Sequence, residues 1–155
     1  MTAAVDIGTT MRLHCDAVVA ALDANYLAPF GGLGLLSETG SSQLLPERIG
    51  HARALAMFAL GASRSGVAAV THGVGSFTAL SAQVHAKARE MALVLAKKYP
   101  AFLRATQCWV RVRVQITKVI DKEFSEFEKQ LVSPEAKEAF TAFGKKRAPD
   151  DSQFE

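Results

Sequence analysis

Along most of this chain the apolar positions recur at helical spacing. In "LSAQVHAKAREMALVLAKKY", Val84, Ala88, Met91 and Leu95 form one apolar stripe. Lys87, Glu90 and Lys97 take the opposite face, and Pro100 is expected to mark the stop. "FLRATQCWV" begins a further helix. "ITKVIDKEFSEFEKQLV" then repeats the period with Ile116, Ile120, Phe124, Phe127 and Leu131. "SPEAKEAFTAF" reads as a closing helix, with Ser133 as cap, Pro134 in the first position and Glu135 in the first turn. The polar tail after Arg147 is expected to fray. One stretch contradicts its surroundings. "VRVRVQIT", residues 110–117, alternates and is β-branched, which alone predicts a strand; both flanks are helical, so we read it as a helix–turn–helix junction.

The first half is built of shorter pieces. "GTTMRLHCD" opens a short helix at Gly8, Thr9 and Thr10, and "AVVAAL" and "NYLA" predict short strands separated by Asp23. A helix starts at "SSQLL", and Pro46 is placed in the first turn of the next one, where its missing N–H costs little. "HARALAMFAL" continues as helix to Gly61, with His51 at its start, and "SGVAAVTHG" is a short helix ending at Gly73. There is no internal repeat and no linker, so the 155 residues are read as one domain.

Composition narrows the class. With 49% hydrophobic and 21% charged residues the chain is globular. No run approaches the ~18 apolar residues of a membrane span, and the first residues show no signal peptide, so a cytoplasmic protein without membrane partners is the expectation. Cys15 and Cys108 lack metal-ligand or redox spacing and are expected as reduced, mostly buried thiols. His14, His51, His72 and His85 are scattered, so no metal site is expected. The net charge of +3 comes from basic residues interleaved with acids, the pattern of a solvated helix face, and no nucleic-acid partner is predicted.

The stretch "FGGLGLLSETGSSQLLPERIG", residues 30–50, sets the chemical question. A single carboxylate, Glu38, sits among apolar residues and glycines just before a helix start. Burying a carboxylate is costly unless it is paired or its raised proton affinity is useful. From spacing alone Glu38 is either a proton-transfer group or a helix-N-terminal acid favoured by the dipole.

The order "GTTMRLHCDAVVAA…Y…PF…GLGLLSETGSSQLLPERIGHARAL…LG", closed by "LVSPEAKEAFTAFGKKRAPD", resembles the crotonase superfamily, the enoyl-CoA hydratases and isomerases. The resemblance runs from Ala4 to about Asp150 and implies a partial crotonase-like α/β fold, mostly helical with a few short strands near the N-terminus. It matches the C-terminal portion of the family: residues 1–75 the later part of the core, residues 76–155 a helical assembly and cover region. It implies an acyl-CoA substrate, no cofactor beyond the coenzyme A of that substrate, and a homo-oligomer, a trimer or a hexamer.

Family chemistry stabilises an enolate, with two backbone N–H groups receiving the charge that grows on the thioester oxygen. The resemblance puts the second of these donors at Ile7 or Gly8, where the competing reading is a simple strand-to-helix turn. Asp6 departs from the family glycine and would oppose an oxyanion by like charge unless it points away. The two hydratase glutamates align with Thr10 and Phe30, neither an acid, whereas the isomerase glutamate aligns with Glu38, with Ser37 in place of proline. The implied reaction is therefore a Δ3-to-Δ2 enoyl-CoA isomerisation with Glu38 as proton shuttle, weak or absent in this chain. The alternatives are a non-catalytic oligomerisation module and a hydratase. Lys146 matches the lysine that reaches the CoA 3′-phosphate, and Phe143 and Phe127 the aromatics near adenine; against these stand a solvated helix end and two core phenylalanines. Gly144 and Asp151 depart from the family at the site's cover.

Overall fold

The computed structural model describes residues 2–111 and 113–154. Two small sheets carry the N-terminal half. In the first, β1 (Thr2–Val5) runs parallel to β3 (Ala24–Leu27), with Ala4 opposite Tyr26, and β4 (Arg64–Ser65) pairs antiparallel to β3. In the second, β2 (Val19–Ala21) runs parallel to β5 (Phe77–Ala79). Alternation explains the register: Ala24 and Tyr26 of β3 are buried and the residues between them are not. The sheets close on a core of Leu13, Phe30, Leu45, Ile49 and Met57, with small alanines where elements approach closely.

Several expected elements stand where the pattern put them. α1 (Ile7–Thr10) continues into a 3-10 turn, Met11–His14. α3 (His51–Ala59) begins at His51, and α4 (Gly66–Thr71) stops short of Gly73. Gly66 is required by contact: a Cβ there would fall on the Ala21 carbonyl oxygen. α5 (Val84–Ala96), α6 (Pro100–Val110) and α7 (Arg113–Leu131) follow, with Arg111 extended between the last two, so the alternating stretch is a helix junction; Val112 lies outside the described residues. α8 (Pro134–Gly144) has the expected start: Ser133 Oγ accepts from the Ala136 N–H, and Pro134 fills the first position.

Other expectations are corrected. Pro46 lies inside one continuous helix, α2 (Ser41–Ile49), rather than opening a second. Its missing N–H removes only the bond to the Ser42 carbonyl, and Gly50 at φ 82 makes the break before α3. Pro100 starts α6 rather than stopping α5, which ends at Ala96 on its own. β1, β4 and β5 were not legible, and the last two place strands well beyond the N-terminus. Cys15 and Cys108 are free but exposed, not buried. The tail is tied down: Arg147 bridges to Glu138 at 2.5 Å, the Asp150 N–H donates to Glu138, and a 3-10 turn covers Asp151–Phe154. Those two interactions, Arg147 first, hold the Glu138 carboxyl down at about 2. No helix among the described residues is long and apolar enough to cross a membrane.

Candidate active site

The turn that presents Glu38 is defined residue by residue. A 3-10 turn, Gly31–Leu33, ends at Gly34 in a left-handed conformation, φ 64, with the start of α8 packed against it. The chain then runs to Glu38, and the Ser41 N–H donates to the Glu38 carbonyl at 3.0 Å. Thr39 and Gly40 have φ 57 and 72, so residues 38–41 form a primed turn with both central residues left-handed. A Cβ on Gly40 would meet Ile116 Cδ1 at 2.5 Å, so glycine is demanded twice there, by torsion and by contact. His14 Nε2 donates to the Thr39 carbonyl at 2.6 Å.

Glu38 itself is half-buried. Its proton affinity is raised, first by burial, then by the charge of Asp6, then by that of Glu123. These three acids come from the β1–α1 corner, the loop before α2 and the middle of α7. Asp6 stands at the mouth of α1, with its carbonyl accepting from the Thr9 and Thr10 N–H groups at 2.7 and 3.0 Å. Ile7 and Gly8 follow as the first two helical residues, whose amides have no acceptor one turn back within the helix. The backbone of Asp6 is left-handed, φ 49 and ψ −121, and its Oδ1 is buried with no hydrogen-bond partner among the described residues. Burial also raises the Asp6 pKa. The charge of Asp6 at the opening of α1 thus acts on the loop acid Glu38.

Thr10 and Phe30 are both buried, Thr10 with its hydroxyl toward the Asp6 carbonyl and Phe30 against the ring of Phe58 at 5.9 Å. Neither can move a proton at neutral pH. The remaining sequence candidates lie on the last two helices. Lys146 follows α8 at φ 53 and is exposed, Phe143 is 78% exposed, and Phe127 on α7 is half-buried. Among the described residues no hydrogen bond or ion pair joins them to the Glu38 turn. Phe143 is therefore not a core residue. A cavity of about 310 Å³ opens behind His14, lined by Leu13, Leu44, Arg48, Val110, Arg111 and Ile116 among others, and Glu38 is not in its wall. Its guanidinium groups are engaged: Arg48 with the Leu13 carbonyl, Arg111 with Asp16 at 2.6 Å and with the His14 carbonyl at 2.9 Å. No cluster of three metal-ligating side chains occurs among the described residues.

Sequence reasoning missed His14 and Glu123, which hold the turn from 25 and more than 80 residues away. No local pattern marks either one. Glu123 stands between Asp121 and Glu126, one position before Phe124 of the predicted stripe, and so reads as one of several solvated acids of α7.

Comparison with known proteins decides the family. Residues 3–153 match the family model described as Enoyl-CoA hydratase/isomerase. The chain belongs to the enoyl-CoA hydratase/isomerase family. A solved enoyl-CoA hydratase/isomerase from Pseudoalteromonas atlantica superposes with a TM-score of 0.92 at 31% identity, over 96% of this chain and 61% of that one. The enoyl-CoA hydratase/isomerase fold seen here is thus a crotonase-like α/β fold of mostly helical content. A probable enoyl-CoA hydratase of Bacillus subtilis is 31% identical over 154 residues, 95% of this chain and 58% of the relative. The 1,2-epoxyphenylacetyl-CoA isomerase of Escherichia coli is 40% identical over 58 residues, 37% of this chain and 22% of the relative. The chain therefore spans less than two thirds of the length of each of these relatives. Members of this family need no cofactor beyond coenzyme A in the substrate.

Proposed function

We propose that this family member acts on an acyl-CoA thioester as an isomerase of the Δ3-to-Δ2 enoyl type, with Glu38 as the single proton carrier. The observation that carries the reading is a half-buried Glu38 of raised proton affinity, coupled to the acid at the mouth of α1. A base with its pKa moved toward the working pH both accepts and returns a proton efficiently. In the step, the Glu38 carboxylate takes a proton from C2 of a 3-enoyl thioester. The C–H electron pair flows into the C1–C2 bond and charge collects on the thioester oxygen, near the Ile7 and Gly8 amides. When that charge returns, C2=C3 forms and the former C3=C4 pair takes the proton from Glu38 at C4. No water is consumed. Thr10 and Phe30 leave water addition without its two acids. Lys146 is assigned to the CoA 3′-phosphate and Phe143 and Phe127 to the adenine side, readings supported by the exposure of the first two.

The order of the motifs from Ala4 to Asp150 carries our further reading that the segment corresponds to the C-terminal portion of the family fold, residues 1–75 core and 76–155 cover. Incubation of the purified chain with a 3-enoyl-CoA, followed by product separation, tests the reaction type. The 2-enoyl thioester is expected and no 3-hydroxy thioester; a 3-hydroxy product would overturn the isomerase assignment.

A second reading is favoured by a separate observation. Tyr99, Trp109 and Val110, on and beside α6, are 85%, 88% and 75% exposed, and the stripe predicted for α5 is uncovered at Leu95. Apolar surface on this scale calls for a cover, and further copies of the chain supply one. Sedimentation is expected to show a trimer or hexamer, and a Trp109→Asp variant to shift it toward monomer. A wild-type monomer at micromolar concentration would sink the assembly reading.

A further inference from the structure

The turn under Glu38 holds an unfavourable shape. Thr39 is β-branched and left-handed, a conformation that persists only where the surroundings over-determine it. One restraint is the His14 bond to the Thr39 carbonyl. The other comes from the far end of the chain. Glu123, on α7 and only 4% exposed, accepts from the Gly40 N–H at 2.5 Å and from the Ser42 N–H at 2.9 Å. These amides open α2, so they lack acceptors within it, and the two Glu123 oxygens supply them. Ile116 and Ile120 of the same helix close over Gly40 and leave no room for a Cβ there.

We propose that Glu123 is a positioning residue for Glu38: by gripping the Gly40 amide within the turn and the Ser42 amide just after it, it fixes where the Glu38 carboxyl sits relative to the opening of α1. The inference rests on the reading of Glu38 as the base. It separates into a geometric part, the two hydrogen bonds, and an electrostatic part. Glu38 faces Asp6 from the β1–α1 corner and Glu123 from α7, both acidic, while His14 touches the turn from the 3-10 segment after α1. Glu135 of α8 stands over Gly34 at the start of the same loop, and Lys118 and Lys122 of α7 are exposed. Burial and the two facing acids act in the same direction on Glu38. A buried hydrophobic residue in place of Glu123 would pack α7 equally well and do neither job.

The test uses Glu123→Gln, which keeps the size and one acceptor oxygen without the charge, and Glu123→Asp, which keeps the charge one methylene short. The Glu38 carboxyl is titrated by carbon NMR, its resonance assigned from the spectrum of Glu38→Gln, and exchange of the Gly40 and Ser42 amides is followed on the same samples. In Glu123→Gln the Glu38 midpoint is expected to fall toward an ordinary glutamate value, and both amides to exchange at least ~10-fold faster, with α5 unchanged. Glu123→Asp is expected to restore the midpoint more than the exchange rates. With a 3-enoyl-CoA, kcat is expected to fall ~10-fold in Glu123→Gln while KM moves less than about two-fold. A folded Glu123→Gln protein with unchanged Glu38 titration and unchanged amide protection overturns the proposal. Both NMR readouts are made without substrate. They therefore decide the role of Glu123 even if an active Glu38→Gln variant removes Glu38 from the chemistry.

Discussion

Replacement of Glu38 by Gln is expected to lower isomerisation of a 3-enoyl-CoA by about 10²–10⁴-fold, the range a positioned general base contributes. KM should change little, because the amide has nearly the same shape and the lost interaction matters only while a proton is in flight. The wild-type rate should rise with pH through a midpoint above that of an ordinary glutamate, since the base must be ionised and burial with Asp6 and Glu123 holds its proton on. That limb should vanish in the variant. Stability should move the other way. An acid whose folded pKa is raised binds more protons folded than unfolded, so stability falls as pH rises from the ordinary carboxylate range through the raised value. The Gln variant escapes this loss, and it gives up no hydrogen bond recorded for the Glu38 carboxyl among the described residues. Thermal unfolding should show it more stable than wild type at neutral pH, with the gap closing below about pH 4. An active Glu38→Gln enzyme would end the proton-shuttle reading.

The second large effect is expected at Asp6, and it runs toward gain. Its φ of 49 and ψ of −121 lie where side chains are strained, and its Oδ1 is buried without a partner. Asp6→Gly should stabilise the fold by ~1–3 kcal/mol through relief of the backbone alone. The carboxylate also precedes the Ile7 and Gly8 amides, where enolate charge would collect. Burial keeps Asp6 protonated to a higher pH than usual, so its harm appears only as it ionises. The charge of Asp6 is one of the causes that raise Glu38, so it is present as Glu38 ionises and its harm runs through the active range. At the pH where wild-type Asp6 is ionised, the variant should be at least ~10-fold faster, about 1.4 kcal/mol of relieved repulsion. Removal of a like charge from beside Glu38 should also shift the ascending limb to lower pH. Because the two acids interact, the wild-type ascending limb belongs to the pair rather than to either residue. A slower Asp6→Gly protein would mean that Asp6 serves the reaction instead of opposing it.

How the turn under Glu38 is held bears on both results. Glu123 and His14 hold it through two N–H donors and one carbonyl, contacts made by chain segments remote in sequence. Of the stripe expected on α7, Ile116, Ile120 and Phe127 turn inward while Phe124 and Leu131 are exposed, and Glu123 takes the buried place beside Phe124 because α2 packs there. The same limit applies to the strands. β4 is two residues long and β5 three, too short for alternation to declare itself, and each exists because β3 or β2 offers it a ladder. Pro46 shows the converse, a local rule overridden by packing. Leu45 and Ile49 on either side of it are buried, and keeping both in the core holds one helix together across the missing N–H.

What the sequence determined by itself is therefore local and compositional. The period of the apolar positions decided which stretches are helices, capping chemistry decided where α8 begins, and the order of "GLGLLSETGSS" with the closing helix carried the family resemblance. That Thr10 and Phe30 are not acids, where the resemblance puts the hydratase glutamates, and that Glu38 is one, were legible once the resemblance was drawn. Tertiary structure decided the proton affinities, because a pKa responds to burial and to charges several ångströms away whatever their separation along the chain. It likewise decided that Glu123 faces inward, that Phe143 and both cysteines face outward, and that Asp6 is held in a glycine's conformation. A side chain's chemistry is written in the sequence; the dielectric and the neighbours that tune it exist only once the chain has folded.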